Sequence, residues 1–208
     1  MKRKTCFLVL VAVVMITVGP AAAKPLPPGG TAQKWNFENE TNPAIPTLDL
    51  NPYGTPTAEL TGHEGGPPAE WAADLLGRKG VWQAQGMLTI TLDVPNQMIP
   101  NPYKEIFVEI GFMGDLADFS VLPLPIGGSV ELVGQKVVLV DPQTGWQRLR
   151  AWYIIEPNPE REIICYSFTG ALAAIDYVFV KTICVPEPIT ASLLGLGGLL
   201  LARRRRRS

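Results

Sequence analysis

Histidine is almost absent: His63 is the only one in 208 residues. Nucleophilic catalysis of the Ser–His or Cys–His kind needs an imidazole beside the nucleophile, and zinc sites commonly recruit several. His63 lies beside Glu64 in Thr61-Gly-His-Glu-Gly-Gly-Pro-Pro68, a loop by composition, and reads as solvated surface. Neither a GxSxG elbow nor an HExxH helix occurs. Basic charge is scarce through the middle of the chain. Between Lys24 and Val185 there are 10 basic and 18 acidic side chains, a net −8. No basic stripe is left there to displace counterions from a phosphate backbone, so nucleic acid is excluded as a partner. Cysteine is limited to Cys6, Cys165 and Cys184. Glycine and proline, by contrast, are plentiful at 20 each, which makes the chain rich in turns but short of the proportion that marks disorder.

Long apolar runs occur only at the two ends. Lys2, Arg3 and Lys4 precede an apolar run from Phe7 to Val18, and Gly19-Pro20 then breaks the helix. Ala21-Ala22-Ala23 supplies the small residues that signal peptidase requires, so residues 1–23 read as a signal peptide, cut between Ala23 and Lys24. At the other end, Ile189 to Ala202 is apolar apart from Thr190 and Ser192, and Pro188 sets its start. Fourteen helical residues rise about 21 Å, less than the ~30 Å of a hydrocarbon core. Gly195, Gly197 and Gly198 weaken the helix further. Such a segment enters the bilayer but is a poor permanent anchor. Arg203, Arg204, Arg205, Arg206 and Arg207 follow as a cytoplasmic stop signal. Both basic ends obey the positive-inside rule, which puts the acidic middle on the far side of the membrane.

The Pro186-Glu187-Pro188 tripeptide, the Leu/Gly-rich helix from Leu193 to Leu201 and the terminal arginine cluster stand in a definite order. Together they resemble the PEP-CTERM sorting signal of Gram-negative exoproteins. The resemblance covers residues 185–208, and residues 186–208 are assigned to the sorting signal. It implies export across the inner membrane, transient anchoring there, and recognition of Pro186, Glu187 and Pro188 by an exosortase-type membrane enzyme. That enzyme would pass the chain to the cell surface or the exopolysaccharide matrix.

Residues 24–185 form the exported domain, and their pattern is β. From Lys24 to Glu70 nine prolines and six glycines leave room only for short extended pieces. Lys34 to Glu38 reads as a first strand, Ala58 to Thr61 as a brief extended piece, and Glu70 to Leu76 as a helical turn or two. Met87 to Val94 alternates Thr89, Thr91 and Asp93 with Leu88, Ile90, Leu92 and Val94, a half-buried strand. Ile106 to Ile110 closed by Gly111, Gly134 to Val140, Trp146 to Ile155, Arg161 to Phe168 and Ile175 to Val185 continue the series, with Thr169-Gly170 read as a turn. The expected fold class is all-β, an antiparallel jelly-roll-like β-sandwich flanked by an N-terminal signal helix and a short C-terminal transmembrane helix. Trp146, Pro157-Asn158-Pro159, Glu162, Ile175-Asp176-Tyr177-Val178 and Cys184-Val185 leading into the tripeptide resemble PEP-CTERM exoproteins that carry a carbohydrate-binding-module or galactose-binding-like sandwich.

Candidate chemistry is sparse. Cys6 leaves with the signal peptide, so Cys165 and Cys184 are either a disulfide pair or two separate buried thiols. The bond requires that Arg161–Phe168 and Ile175–Val185 not be hairpin partners, because that register would leave the cysteines about 20 Å apart. No organic cofactor is expected. A structural calcium could draw on Glu38, Asn39, Glu40 and Asn42, or on Asp115 and Asp118. Asp115 with Asp118, and Glu105 with Glu109, are carboxylate pairs without further context. Trp71 and Trp82, near loop-rich sequence, are the tryptophans expected to be exposed, and Trp152, in Ala151-Trp-Tyr-Ile-Ile155, is expected in the core. The reading is a non-catalytic surface or matrix protein, with extracellular polysaccharide, signal peptidase and exosortase as partners. A secreted carbohydrate-binding module or carbohydrate-active enzyme with the same tail is the alternative.

Overall fold

Three long strands organise the molecule. The computed structural model describes residues 26, 29–97, 102–125 and 128–185. The expected signal peptide with its expected Ala23/Lys24 cleavage site, Pro186-Glu187-Pro188, the apolar C-terminal segment and Arg203 to Arg207 lie outside the described residues. The nine strands are β1 (Thr31–Trp35), β2 (Leu48–Asp49), β3 (Thr57–Gly62), β4 (Glu70–Leu75), β5 (Arg78–Pro95), β6 (Tyr103–Leu124), β7 (Ser129–Asp141), β8 (Trp146–Glu156) and β9 (Arg161–Val185). All pairings are antiparallel, and there is no helix among the described residues. The all-β expectation stands. The helical turn expected over Glu70 to Leu76 is instead β4, which hydrogen-bonds to the start of β5 across the tight turn at Leu76-Gly77.

The middle of the sheet is β9, flanked on one side by β6 along its whole length. On its other side β5 covers the N-terminal part and β1 the C-terminal part. One end of the sheet therefore holds β3, β4, β5 and the adjoining parts of β9 and β6. The other end runs β2, β1, β9, β6, β8, β7. The sheet bends between these ends where glycines meet: Gly86 of β5 pairs with Gly170 of β9, and Gly114 of β6 lies 3.6 Å from the position a Gly170 Cβ would take. Register shifts cluster at the same line, at Ala84/Gly86 in β5 and three times between Gly111 and Asp118 in β6. Bulges let a strand change direction without breaking the ladder. Thr169-Gly170, expected as a turn, is this bend, so Arg161 to Val185 is one strand and not a hairpin.

The bend closes the sheet over one main core, with a small second cluster of Val81, Trp146 and Ala174 beside it. On β5, Leu88, Ile90, Leu92 and Val94 are fully buried, as the alternation required. Ile164, Tyr166 and Phe168 of β9 lie beside them in the register, and Ile106, Val108 and Ile110 of β6 with Leu149 and Ala151 of β8 belong to the same core. Tyr153 and Tyr166 meet across that core with their hydroxyls 2.6 Å apart, which satisfies two polar atoms that burial would otherwise strand.

Candidate functional site

Alternation along a strand sends every second side chain away from the core. On β8, β6 and β9 the outward set is Arg148, Arg150 and Trp152, then Phe107 and Glu109, then Tyr177, Phe179 and Lys181. Trp152 stands opposite Phe107 in the register, with ring centroids 4.8 Å apart and planes tilted by 53°. Phe179 continues the row on β9 at 6.2 Å from Phe107. On the other side of Trp152 the paired residue is Gly134, above which there is open space. Trp152 is consequently 44% exposed. This overturns its expected place in the core: the apolar neighbours Tyr153, Ile154 and Ile155 hid the fact that odd and even positions face opposite ways.

A polar cluster borders the aromatic row. Glu109 accepts from Arg150 Nε at 2.7 Å and from the Tyr177 hydroxyl at 2.9 Å, with Arg148 Nε at 3.9 Å. Partial burial pushes the Glu109 carboxyl up, but the bonds from Arg150 and Tyr177 and the two cationic charges outweigh it and hold it below the ordinary range. The Tyr177 phenol is pushed up to about 12, first by burial and then by donating to Glu109. Lys34 of β1 lies over the Tyr177 ring at 5.4 Å. The face thus offers an accessible indole, two phenyl rings, and a carboxylate with guanidinium groups a few ångströms beyond.

The remaining candidates are placed as follows. Trp82, expected to be exposed, is buried in the core because it sits on the inward side of β5, and Trp71 is half-buried with its indole N–H on the Phe37 carbonyl at 2.8 Å. His63 is exposed in its loop. Asn42 is committed to the backbone of Leu60, donating at 2.7 Å and accepting at 3.0 Å, and Asn39 caps Thr41. Asp115 and Asp118 both lie within β6 and not in a loop between strands. Among the described residues no three His, Cys, Asp or Glu side chains converge as a metal would require. An open cleft of about 280 Å³ lies between Pro67, Pro68, Glu70, Gln83 and Leu172, with Glu70 its single carboxylate. Of the two alternatives for Cys165 and Cys184, the structure has the separate thiols: both are free, Cys184 buried and Cys165 half-buried, 19 residues apart along one continuous strand.

The sequence reading missed one further group. Lys104 of β6 and Glu162 of β9 are completely buried, with Nζ and Oε1 2.6 Å apart. Around them lie Asn96, Asn158 and Cys184: Asn96 Nδ2 donates to Asn158 Oδ1 at 2.6 Å, and the Cys184 thiol approaches the two amide oxygens at 3.6 and 3.5 Å. Burial is the largest influence on the Glu162 carboxyl and raises it, with Lys104 opposing. The only trace of this group in the sequence is that Lys104 and Glu162 share the parity of inward neighbours, Ile106 and Val108 for one and Ile164 and Tyr166 for the other.

No protein-family model matches this chain, and no curated protein matches it.

Proposed function

We propose that the protein is an exported, non-catalytic surface or matrix domain that makes contact with extracellular polysaccharide through the outer aromatic face. The observation that carries the polysaccharide contact is the row Trp152–Phe107–Phe179, with the indole laid open by Gly134. Pyranose rings present apolar C–H faces that pack on such rings, while their hydroxyls suit a neighbouring Glu109–Arg150 pair. The bent, closed sheet suits the jelly-roll-like sandwich expected of this part of the chain. Residues 1–23 direct export, and Pro186-Glu187-Pro188 with the apolar segment and arginines hands the chain to an exosortase-type enzyme. Its support is the charge asymmetry of the sequence and the order of the tripeptide, apolar segment and arginines.

Two measurements test the two halves of this reading. Trp152→Ala should weaken co-sedimentation of the exported protein with the matrix polysaccharide of its own cells by about tenfold, equivalent to ~1.4 kcal/mol. Equal retention of the two proteins would remove the aromatic face from the reading. Replacing Pro186, Glu187 and Pro188 with alanine should leave the chain in the membrane fraction instead of at the surface, as followed by protease shaving of intact cells. Unchanged surface release would reduce the tripeptide to a stalk.

A further inference from the structure

Nine of the described residues are lysine or arginine, and they fall into two classes. Four have a carboxylate each: Arg78 pairs with Asp176, Lys79 with Asp74, Lys104 with Glu162 and Arg161 with Asp93. The other five are Lys34, Lys136, Arg148, Arg150 and Lys181. Among the described residues the only acid within ion-pair distance of any of them is Glu109, which takes both arginines. The strand register gathers all five on the outer aromatic face. The row through Trp152 and Phe107 ends in Lys181. The next row runs Lys136, Arg150, Glu109, Phe179, Lys34, and the one after it sets Arg148 against Gly111. Three adjacent rows thus hold five cations and one carboxylate, in a domain that carries −8. Glu105 and Glu131, both opposite Ile154, bound the patch beyond Trp152. In the sequence the five cations are spread from position 34 to position 181 with acidic residues between them, so no basic stretch shows there.

Given the aromatic contact proposed above, on which this step rests, we infer that the polysaccharide it binds is acidic. A sugar ring lies on Trp152 and Phe107, and carboxylates of that ring or of its neighbour are held by Arg150 and Arg148. Arg150 donates to Glu109 through Nε, which leaves its two Nη groups for another acceptor. Arg148 Nε lies 3.9 Å from Glu109 and makes no hydrogen bond among the described residues. A guanidinium fork matches the two oxygens of a carboxylate. Along β8, Arg150 is two residues from Trp152 and Arg148 four, about 7 and 13 Å at ~3.3 Å each, so a chain stacked on the indole passes both. Like charges set this close repel one another, and an anionic chain laid across them relieves that repulsion. Glu109, in the middle of the patch, suits a ligand that has hydroxyls to donate as well as acids to accept the arginines. A sugar acid has both; a bare phosphate backbone has only the second. Phe107 and Phe179 are half-buried along the sheet, a platform for a sugar face and not a wedge for a bilayer.

Two polymers that differ only in charge test this: polygalacturonate, and the same chains with their carboxylates reduced to alcohols. In affinity electrophoresis at low salt the exported protein should bind polygalacturonate about tenfold more tightly than the reduced polymer, the worth of one charged hydrogen bond. The difference should shrink as salt rises. Arg150→Gln should lose that tenfold on polygalacturonate and nothing on the reduced polymer, whereas Trp152→Ala should weaken binding to both. Lys136→Gln, which strands no partner, should weaken polygalacturonate binding by about twofold. Lys79→Gln removes an exposed cation outside the three rows and should change neither. A parent without preference for polygalacturonate overturns the acidic ligand, while the aromatic contact stands or falls separately on the co-sedimentation of Trp152→Ala. Equal or tighter binding to duplex DNA or to phosphatidylglycerol vesicles overturns it in favour of a phosphate ligand. An equal loss in Lys79→Gln and Arg150→Gln overturns it as well, since net charge alone would then account for the attraction.

Discussion

Asp176 sits where burial and a cation pull its carboxyl in opposite directions. Burial is the larger influence and raises it, while Arg78, with Nη1 3.1 Å from Oδ2, pulls it back in part. Arg78 in turn lies over the Trp146 ring at 5.6 Å. There is no slack around this carboxyl: a Cβ on Gly111 would come within 2.0 Å of Asp176 Oδ1 and 2.4 Å of the Tyr177 ring, so only glycine is accommodated opposite it. An acid raised on folding favours the native state in its protonated form. The stability it contributes is complete below the ordinary aspartate value near 4 and is lost as pH rises through the folded value. Asp176→Asn abolishes that titration. Urea unfolding of the two proteins between pH 3 and pH 8 should therefore show the parent losing stability relative to Asp176→Asn as pH rises. If the parent gains instead, the Arg78 pair outweighs burial and the assignment fails. A single side chain's environment of this kind was not legible in the sequence. Asp176 reads there as one carboxylate among 19 acidic residues, and its partner Arg78 is 98 positions away. His63 was legible, because glycines and prolines on both sides leave no element to bury it.

At the scale of elements, alternation was a dependable guide where both faces differ in polarity. Met87 to Val94 shows it: every predicted inward position between Leu88 and Val94 is fully buried. It failed where glycine was read as punctuation. Gly111 and Gly170 were expected to end strands, yet β6 continues to Leu124 and β9 to Val185. The physical reason is that a bent sheet also needs residues without a Cβ, and a crease and a turn carry the same local signature. The consequences reach the chemistry. Once Arg161–Val185 is one strand, Cys165 and Cys184 fall at opposite ends of it, and Glu162 and Cys184 both belong to the buried Lys104 group only because β6 and the bend bring the two ends of β9 together. The aromatic row was hidden for a related reason. Trp152, Phe107 and Phe179 come from three strands, 45 and 27 positions apart, and only the register joins them.

For the molecule as a whole, the remaining question is how a sheet with open edges stays separate from its neighbours. Strand β7 pairs with β8 alone, so one row of its backbone groups faces outward. Its exposed side chains are mostly apolar, with Val133 at 56% and Leu139 at 53%. A long apolar edge is a template for a further strand. The occupant this edge suits is a second copy of itself. The apolar positions are nearly symmetrical about Gln135, with Val130, Leu132 and Val133 mirrored by Val140, Val138 and Val137. Between Val130 and Val140 the charges of Glu131 and Lys136 cancel, in a domain that carries −8. Repulsion between two such domains opposes contact at low salt and is screened at 0.15 M, where the Debye length is about 8 Å. Sedimentation velocity should therefore show reversible association that grows with concentration and with salt. Val138→Lys should abolish it while shifting stability by no more than about 0.5 kcal/mol, since Val138 already meets solvent. A parent that stays monomeric throughout, or a Val138→Lys protein that associates equally well, would show that twist or bulging at Val133 and Val140 already protects this edge.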